Sequence, residues 1–249
     1  MKQQESVVLV VTDTHYGKET QSFNTAIVAE RMSDVASRIE NVVKLLSASY
    51  EFTDLNIFWL GDLADGSGIY PSQTHHQEIS NPEQQSIDAA TLVFAPFVRR
   101  MRKLFPVVKN EFVPGNHGRT GKFAHEAANW DITCFRYLAM ELRGEAGVVC
   151  NIENIAYPIK VVNVRGWGHL LYHGNEIRSF ASIPWYGMMN RLMRWYNSTL
   201  PKWHIAHMGH FHSCGRWRIN QFEMFSSGTM VTHDTWAFQV LGWESANRW

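Results

Sequence analysis

The sequence predicts an α/β protein in which two packed mixed β-sheets are flanked by helices. Two patterns indicate this class. In the first half of the 249 residues, short apolar runs alternate with long segments of helical spacing. After Gly144 the apolar runs become shorter and β-like, with one helical segment among them. No repeat or linker divides the chain, so we expect a single domain over residues 1–249.

The first half is expected to alternate three strands with three helices. The strands are predicted at residues 7–11, 55–60 and 107–113, and the helices at residues 23–48, 82–103 and 123–142. Pro96 is expected to kink the second helix. Residues 66–82 are rich in Gly, Ser, Gln and Pro, which favours a surface loop.

The second half is expected to be mainly strands. They are predicted at residues 155–164, 169–172, 205–208, 222–225 and 236–241, with one helix at residues 186–196.

Composition excludes several classes of protein. The chain is 45% hydrophobic and 18% charged, which is typical of a folded soluble protein. No apolar run approaches the ~20 residues of a membrane helix. The first six residues are polar and do not resemble a signal peptide, so we expect a cytoplasmic protein. Cys134, Cys150 and Cys214 are scattered and odd in number, which favours a reducing compartment over disulfides or a thiolate metal site.

Charge is unevenly distributed along the chain. Residues 1–155 carry a net charge of −5, and residues 156–249 carry +5. Eight of the ten tryptophans also follow residue 155. Basic charge interleaved with aromatic residues is typical of proteins that bind single-stranded nucleic acid. The alternative is that these tryptophans belong to the core and the charges to a solvated face.

Metal-ligand residue types follow five of the apolar runs. The clusters are Asp13-Thr14-His15, Gly61-Asp62-Leu63-Ala64-Asp65, Gly115-Asn116-His117-Gly118, His173-Gly174 and Gly209-His210-Phe211-His212. Each cluster alone has an ordinary explanation as a turn, a helix cap or a structural histidine. Their repeated occurrence at strand ends, beside glycines that allow close backbone approach, indicates one shared site. No cysteine takes part, so a hard-to-borderline divalent cation is expected.

Asp13 and His15 are separated by one residue. On an extended backbone this spacing places both side chains on the same side.

The ordered set D-x-H, G-D-x-x-D, G-N-H, H-G and G-H-x-H spans residues 13 to 212 and resembles the calcineurin-like metallophosphoesterase superfamily. The resemblance implies an α/β/β/α sandwich and two divalent cations, with Mn²⁺ favoured and Fe, Zn, Ni and Co as alternatives. It implies that Asp62 bridges the cations. The other implied ligands are Asp13, His15 and His212 for the first cation, and Asn116, His173 and His210 for the second.

The resemblance also implies a proton donor. His117 is the spare histidine of the G-N-H block and would protonate the leaving oxygen. Asp65 would orient it, and a neighbouring carboxylate raises the pKa of an imidazole. Arg119 is a candidate phosphate clamp, with a surface arginine as the alternative.

The sequence departs from the superfamily at two positions. Gly118 stands where an acidic residue usually follows G-N-H, and no arginine follows Asp65. The missing arginine argues against the protein-phosphatase branch. Of the remaining histidines, His169 is the strongest competitor for a ligand role, because it precedes His173 by two pleats on the same strand face. His75 and His76, in the predicted loop, are candidates for the substrate entrance.

The expected activity is hydrolysis of phosphodiester bonds. A pair of cations can generate hydroxide, orient the phosphate and stabilise the developing charge. Among branches the chain is closest in character to the Mre11/SbcD-like nucleases or to phage and bacterial phosphodiesterases. It ends about 37 residues after His212, so no capping domain is expected.

Single-stranded DNA or RNA is the expected substrate, and no membrane partner is expected. Candidate contacts are Arg119, Arg178, Arg191, Arg194 and Trp185. Two alternatives stay open: an esterase for small-molecule diesters or monoesters, and a metal-free scaffold without activity.

Overall fold

The computed structural model describes residues 2–125, 127–178, 184–198 and 201–234. The first half forms a four-stranded sheet in the order β1-β2-β3-β4, and every pair in it is parallel. Its strands are β1 (Gln3–Val11), β2 (Tyr50–Trp59), β3 (Val108–Phe112) and β4 (Val148–Cys150). The associated helices are α1 (Thr25–Leu46), α2 (Ser72–His75), α3 (Pro82–Asp88), α4 (Ala95–Leu104) and α5 (Trp130–Glu141).

The second half forms a mixed five-stranded sheet. Its strands are β5 (Ile159–Val164), β6 (Trp167–Tyr172), β7 (Ile205–Met208), β8 (Gly215–Ile219) and β9 (Phe222–Ser226), in the order β5-β6-β7-β9-β8. The central pairs β6–β7 and β7–β9 are parallel, whereas β5 and β8 lie antiparallel at the edges. Among the described residues of this half, one helix is present, α6 (Trp185–Tyr196).

The two sheets pack face to face through a small apolar layer. Phe58, Leu60 and Val113 of the first sheet and its strand ends contact Val164 and Leu171 of the second. The outer face of the first sheet carries the largest apolar cluster, which it shares with α1, α4 and α5. The outer face of the second sheet is covered by α6 through Met188 and Leu192. The order of layers is therefore helix, sheet, sheet, helix, and the predicted α/β class is confirmed.

Three differences from the prediction concern helices. The segment predicted as a loop over residues 66–82 contains the short helix α2 (Ser72–His75). The helix predicted at residues 123–142 begins only at Trp130, because the Asn129 side chain accepts the Asp131 N–H and caps the first turn. In the segment predicted as one helix over residues 82–103, a π-helical turn, Ala89–Phe94, lies between α3 and α4 and ends two residues before Pro96. There the Ala95 N–H donates to the carbonyl of Ala90. The wider turn is a known way of accommodating an irregular position in a long helix.

Two strands were absent from the prediction, and one predicted strand lies outside the described residues. β4 has only three residues, too few to show a period. β8 contains two arginines and a glycine, which hide its apolar side. The strand predicted at residues 155–164 begins later, at Ile159. The strand predicted at residues 236–241 lies beyond residue 234.

Candidate metal centre

The predicted ligands lie at the carboxyl ends of strands from both sheets. Asp13, Asp62 and Asn116 follow β1, β2 and β3, which are parallel and therefore end at one edge of the first sheet. His173 follows β6 and His210 follows β7, the parallel pair at the centre of the second sheet. The face-to-face packing of the sheets brings these ends together.

The loops at this edge are bonded directly to one another. Asp13 N–H donates to the Gly61 carbonyl at 3.1 Å, and His15 N–H donates to the Asp62 carbonyl at 3.0 Å. Gly61 has a φ of +81°, and a Cβ there would collide with the backbone of Gly115. Only glycine at position 61 allows the loop that carries Asp62 to approach the loop that carries Asn116 this closely.

One group of ligand atoms comes from Asp13, His15 and His212. The His212 Nε2 lies 3.2 Å from Asp13 Oδ1 and 3.3 Å from the His15 Nε2. The second oxygen of Asp13 accepts the His210 N–H at 3.0 Å and the Thr12 hydroxyl at 2.6 Å. Among the described residues, its first oxygen, Oδ1, is buried and has no hydrogen bond of ordinary geometry, although the His212 Nε2 lies 3.2 Å away. A buried carboxylate oxygen aimed at two imidazole nitrogens is the arrangement that a cation would complete.

A second group comes from Asp62, His173 and His210. The His173 Nε2 lies 3.0 Å from Asp62 Oδ2 and 3.0 Å from the Asn116 amide oxygen. The His173 Nδ1 lies 2.6 Å from the Leu60 carbonyl, which can only accept, so Nδ1 carries the proton and Nε2 faces the site. Such a second bond orients a ligating imidazole.

The donor set of both groups fits divalent cations. Carboxylate, amide and imidazole donors converge, and no cysteine lies among them. The Asn116 amide nitrogen donates to the Tyr70 hydroxyl at 2.9 Å, which turns its oxygen toward His173. The predicted ligands are therefore brought together in two groups, although their roles stay predictions.

The backbone at the ligands was not foreseen. The expectation that Asp13 and His15 lie on an extended backbone is wrong, because both have positive φ. Five predicted ligands share this left-handed conformation: Asp13 (51°), His15 (42°), Asp62 (49°), His210 (66°) and His212 (54°). Such values cost about 1 kcal/mol or more per residue and concentrate at functional sites. The sharp turns aim the side chains inward.

His117 lies beside both groups and contacts Asp65. Its Nδ1 is 3.3 Å from Asp65 Oδ1, and its backbone N–H donates to Asp62 Oδ1 at 2.8 Å. The same Asp65 oxygen lies 3.1 Å from the His15 Nδ1, so one carboxylate orients two imidazoles. His117 also forms a third group of possible ligand atoms with His15 and Asp62. Its position therefore permits proton transfer or metal binding.

The charged neighbours change the pKa values of these groups. Burial lowers the pKa of His117, but the carboxylates of Asp62 and Asp65 outweigh it and raise that pKa overall. Burial also lowers the pKa of His173, but the Asp62 carboxylate outweighs this effect and raises that pKa to about 9. Burial and the neighbouring His173 lower the pKa of His210 to about 3. Although burial raises the pKa of a carboxyl group, histidine partners hold those of Asp13, Asp62 and Asp65 below the ordinary value.

Two residues without a sequence signal line the centre. The Tyr70 ring lies 4.7 Å from the ring of His117, and its hydroxyl accepts from Asn116 and from Arg119 Nη2 at 3.0 Å. The Gln73 side chain donates to the carbonyls of Asp65 and His117. Both belong to the predicted loop after β2, but nothing in its composition distinguishes them from the exposed His75 and His76.

Arg119 is held at the rim of the centre. Its Nε donates to the Asn116 carbonyl at 3.0 Å, and Nη2 donates to the Tyr70 hydroxyl. The guanidinium is therefore fixed beside a predicted ligand rather than free in solvent. This position is compatible with the predicted phosphate clamp, which stays a prediction.

Comparisons with known proteins find structural likeness without a sequence match. No family model and no curated protein sequence matches this chain. Among solved structures it is similar to Vps29 from Entamoeba histolytica complexed with Zn²⁺, with 9% identity and a TM-score of 0.37 over 89% of this chain and 73% of that one. It is similar to a predicted phosphoesterase from Streptococcus pneumoniae, with 11% identity and a TM-score of 0.34 over 89% and 71%.

A third similar structure is the phosphopantetheinyl hydrolase of Mycobacterium tuberculosis, with 14% identity and a TM-score of 0.36 over 91% of this chain and 90% of that one. At such low identities and TM-scores, these likenesses decide neither its activity nor its ligands. Among the described residues, no helix is long and apolar enough to span a membrane.

Proposed function

We propose that the protein is a phosphodiesterase that holds two divalent cations and cleaves single-stranded nucleic acid. The observation that supports the two-cation site is the position of Asp62. It lies in one group of ligand atoms with His173 and His210, and in another with His15 and His117. The Asp13 group adjoins it through His15. Asp62 is thus the carboxylate between the two halves of the centre.

Asp13, His15 and His212 would hold one cation, and Asn116, His173 and His210 would hold the other, with Asp62 shared. When bound, such a pair supplies a hydroxide nucleophile and neutralises charge that develops on the phosphate. The residues around it orient the substrate. Arg119, fixed by Tyr70 and Asn116, presents its remaining guanidinium donors to a phosphate oxygen.

His117 would donate the proton to the leaving oxygen. Its Nδ1 faces Asp65, which leaves Nε2 as the atom that gives up the proton. Asp62 and Asp65 raise the pKa of His117 despite its burial, which favours the protonated form that a general acid requires. The ring of Tyr70 packs against this imidazole and limits its rotation.

The nucleic-acid substrate is supported by the surface that follows His173. Arg178 is exposed, and its carbonyl lies against Gly187 in the first turn of α6. Trp185 and Tyr186 lie in the same turn, and Tyr186 is 56% exposed. A cationic and aromatic surface that follows His173 in the chain suits a strand of phosphates and stacked bases.

The tryptophans do not all support this surface. Trp203 is buried in the second core cluster, as the alternative explanation expects. Trp195 packs on Tyr172, and the Arg191 guanidinium covers its ring at 5.6 Å. Trp167 is 57% exposed, but it begins β6, at the opposite end of the strand from His173. The proposal therefore depends on the α6 turn rather than on the tryptophan count.

The test compares two substrates in the Mn²⁺-loaded protein. Single-stranded DNA and bis(p-nitrophenyl) phosphate should both be cleaved, and Asp62→Ala should abolish both reactions and lower the bound metal. Only DNA cleavage should fall with salt. The double variant Arg178→Gln/Arg191→Gln should lower the slope of log rate against log salt by about 0.7 for each lost phosphate contact.

Arg218→Gln is the matched control, because this exposed arginine lies at the end of the second sheet far from His173. It should leave DNA cleavage unchanged. If the protein hydrolyses the small diester but does not cleave DNA at low salt, it is a small-molecule diesterase. If the wild-type protein binds no metal and catalyses neither reaction, the metal-free scaffold is the remaining alternative.

A further inference from the structure

The structure assigns to Asp131 the role of a positioning residue that holds the Asp62 loop and the Asn116 loop together. This inference rests on the proposed metal centre, whose ligands these loops carry. No motif in the sequence points to Asp131, which lies in the first turn of α5. The assignment depends on its hydrogen bonds, its burial and the space left by Gly118.

The Asp131 carboxylate is fully buried and accepts four backbone N–H groups. Its Oδ2 accepts from Asp62 at 2.8 Å and from Gly115 at 2.9 Å. Its Oδ1 accepts from Leu63 at 2.9 Å and from Ala64 at 3.2 Å. One oxygen thus joins the two ligand loops directly, and the other fixes the residues after Asp62.

Three successive N–H groups that converge on one point form an anion-binding concavity. In phosphate-binding loops such a concavity is open to the substrate. Here the side chain of Asp131 fills it, so the N–H groups of residues 62–64 cannot serve as a phosphate site. Their function is instead to fix the backbone from which the Asp62 carboxylate projects.

The start of α5 is attached to the same loops by further bonds. The Asn129 side chain donates to the Gly115 carbonyl at 2.9 Å and accepts the Asp131 N–H at 2.9 Å. Trp130 N–H donates to the Gly118 carbonyl at 2.7 Å. The position of Asp131 is therefore determined from the Asn116 side, and its carboxylate transmits that position to Asp62.

Gly118 makes this arrangement possible. A Cβ at residue 118 would meet the Asn129 side chain, and it would lie 2.9 Å from the Asp131 nitrogen and 3.2 Å from its Cγ. A side chain at 118 and the present position of Asp131 exclude one another. Gly118 thus replaces the acidic residue that usually follows G-N-H, and Asp131 of α5 supplies a carboxylate close to this position.

The experiment uses Asp131→Asn, which preserves shape but replaces one acceptor oxygen by an amide donor. In the metal-free protein, hydrogen exchange of residues 61–66 and 113–118 should accelerate at least tenfold. The Mn²⁺ dissociation constant, measured by calorimetry well below the unfolding temperature, should rise ~10–100-fold, the usual effect of an outer-shell partner.

The control for a loss of general stability is Val28→Ala, in the fully buried face of α1 away from these loops. It should lower the unfolding temperature without changing the Mn²⁺ dissociation constant or the exchange of the two loops. If Asp131→Asn does not fold, Gly118→Ala tests the same arrangement, because its Cβ displaces Asn129 and Asp131. Asp131→Glu, which retains the charge, should recover part of the Mn²⁺ affinity of Asp131→Asn.

The positioning role would be overturned if Asp131→Asn had the Mn²⁺ affinity and the loop hydrogen exchange of the wild type. The same holds for Gly118→Ala if that variant is used in its place. A wild-type protein that binds no Mn²⁺ would contradict the proposed function instead. The exchange measurement would then still decide whether Asp131 joins the loops.

Discussion

Two sets of histidines occupy the second sheet, and their surroundings differ. His173 and His210 lie beyond the ends of β6 and β7, where Asp62 and Asn116 face them. His169 and His207 lie within the same two strands, where their rings stack at 5.2 Å and pack against Phe58. His169 Nδ1 lies 2.9 Å from His207 Nε2.

The comparison shows that the neighbours of a histidine, rather than its spacing, decide its role. His169 and His173 share a strand face, so the sequence left both as candidate ligands. The structure turns His169 toward the apolar layer between the sheets, where burial lowers the pKa of His169 to about 4 and that of His207 to about 3. The carboxylates at the strand ends have the opposite effect on His173.

The largest expected effect separates these two sets. His173→Asn should reduce bound Mn²⁺ from two ions to one and reduce turnover by more than the ~10²–10⁴-fold of a lost proton transfer. His169→Asn, four residues earlier on the strand, should retain both ions. Metal analysis of the purified variants checks this difference, and equal metal loss in both would make His169 a ligand.

A smaller effect separates His117 from the predicted ligands around it. His117→Ala should retain both ions and slow the hydrolysis of a diester with a poor leaving group by ~10²–10⁴-fold. The loss should be much smaller for a p-nitrophenyl diester, because p-nitrophenolate leaves without a proton. Steady-state rates on both substrates test the role, and loss of one ion would instead make His117 a ligand in the group it forms with His15 and Asp62.

The smallest effect concerns the histidines between the sheets. His169 and His207 are neutral when folded, with pKa values below the ordinary 6.5 of the unfolded chain. As pH falls below 6.5, these histidines take up protons in the unfolded state before they do so in the folded state. The contribution of the two histidines to the free energy of unfolding is therefore present above this pH and is lost below it. The loss is at most about 1.4 kcal/mol per pH unit for each histidine.

The double variant His169→Leu/His207→Leu should therefore have a flatter dependence of unfolding free energy on pH between about 6.5 and 5. Denaturant unfolding at several pH values measures this slope. His76→Leu, at an exposed position, is the control and should leave it unchanged. An unchanged slope in the double variant would show that the pair does not titrate differently on unfolding.

The sequence predicted the parts of the fold that depend on local pattern. Long amphipathic helices such as α1 and buried parallel strands such as β2 have clear periods, and their carboxyl ends locate Asp62 and its partners. Short or polar strands such as β4 and β8 do not. The sequence could not show the positive φ of His15, because backbone conformation there is imposed by contacts with the Asp62 loop.

Asp131 illustrates a second limit. Its partners, Asp62, Leu63, Ala64 and Gly115, are distant in sequence, and they use backbone groups that every residue possesses. Such a contact leaves no side-chain pattern. The related signal in the sequence was Gly118. Its role is evident only from the structure, in which the start of α5 packs against it and leaves no space for a Cβ.

The residues that support Asp13 have a consequence for the order of folding. Thr229 Oγ1 and Met230 N–H both donate to the Asp13 carbonyl, and the former contact joins residues 216 positions apart. Arg31 of α1 donates to the Met230 carbonyl, and Lys18 pairs with Asp234 at 2.5 Å. Contacts of such long range close late, because the loop entropy must be overcome first. During synthesis, the loop that carries Asp13 would therefore be held in place only after nearly the whole described chain has emerged from the ribosome.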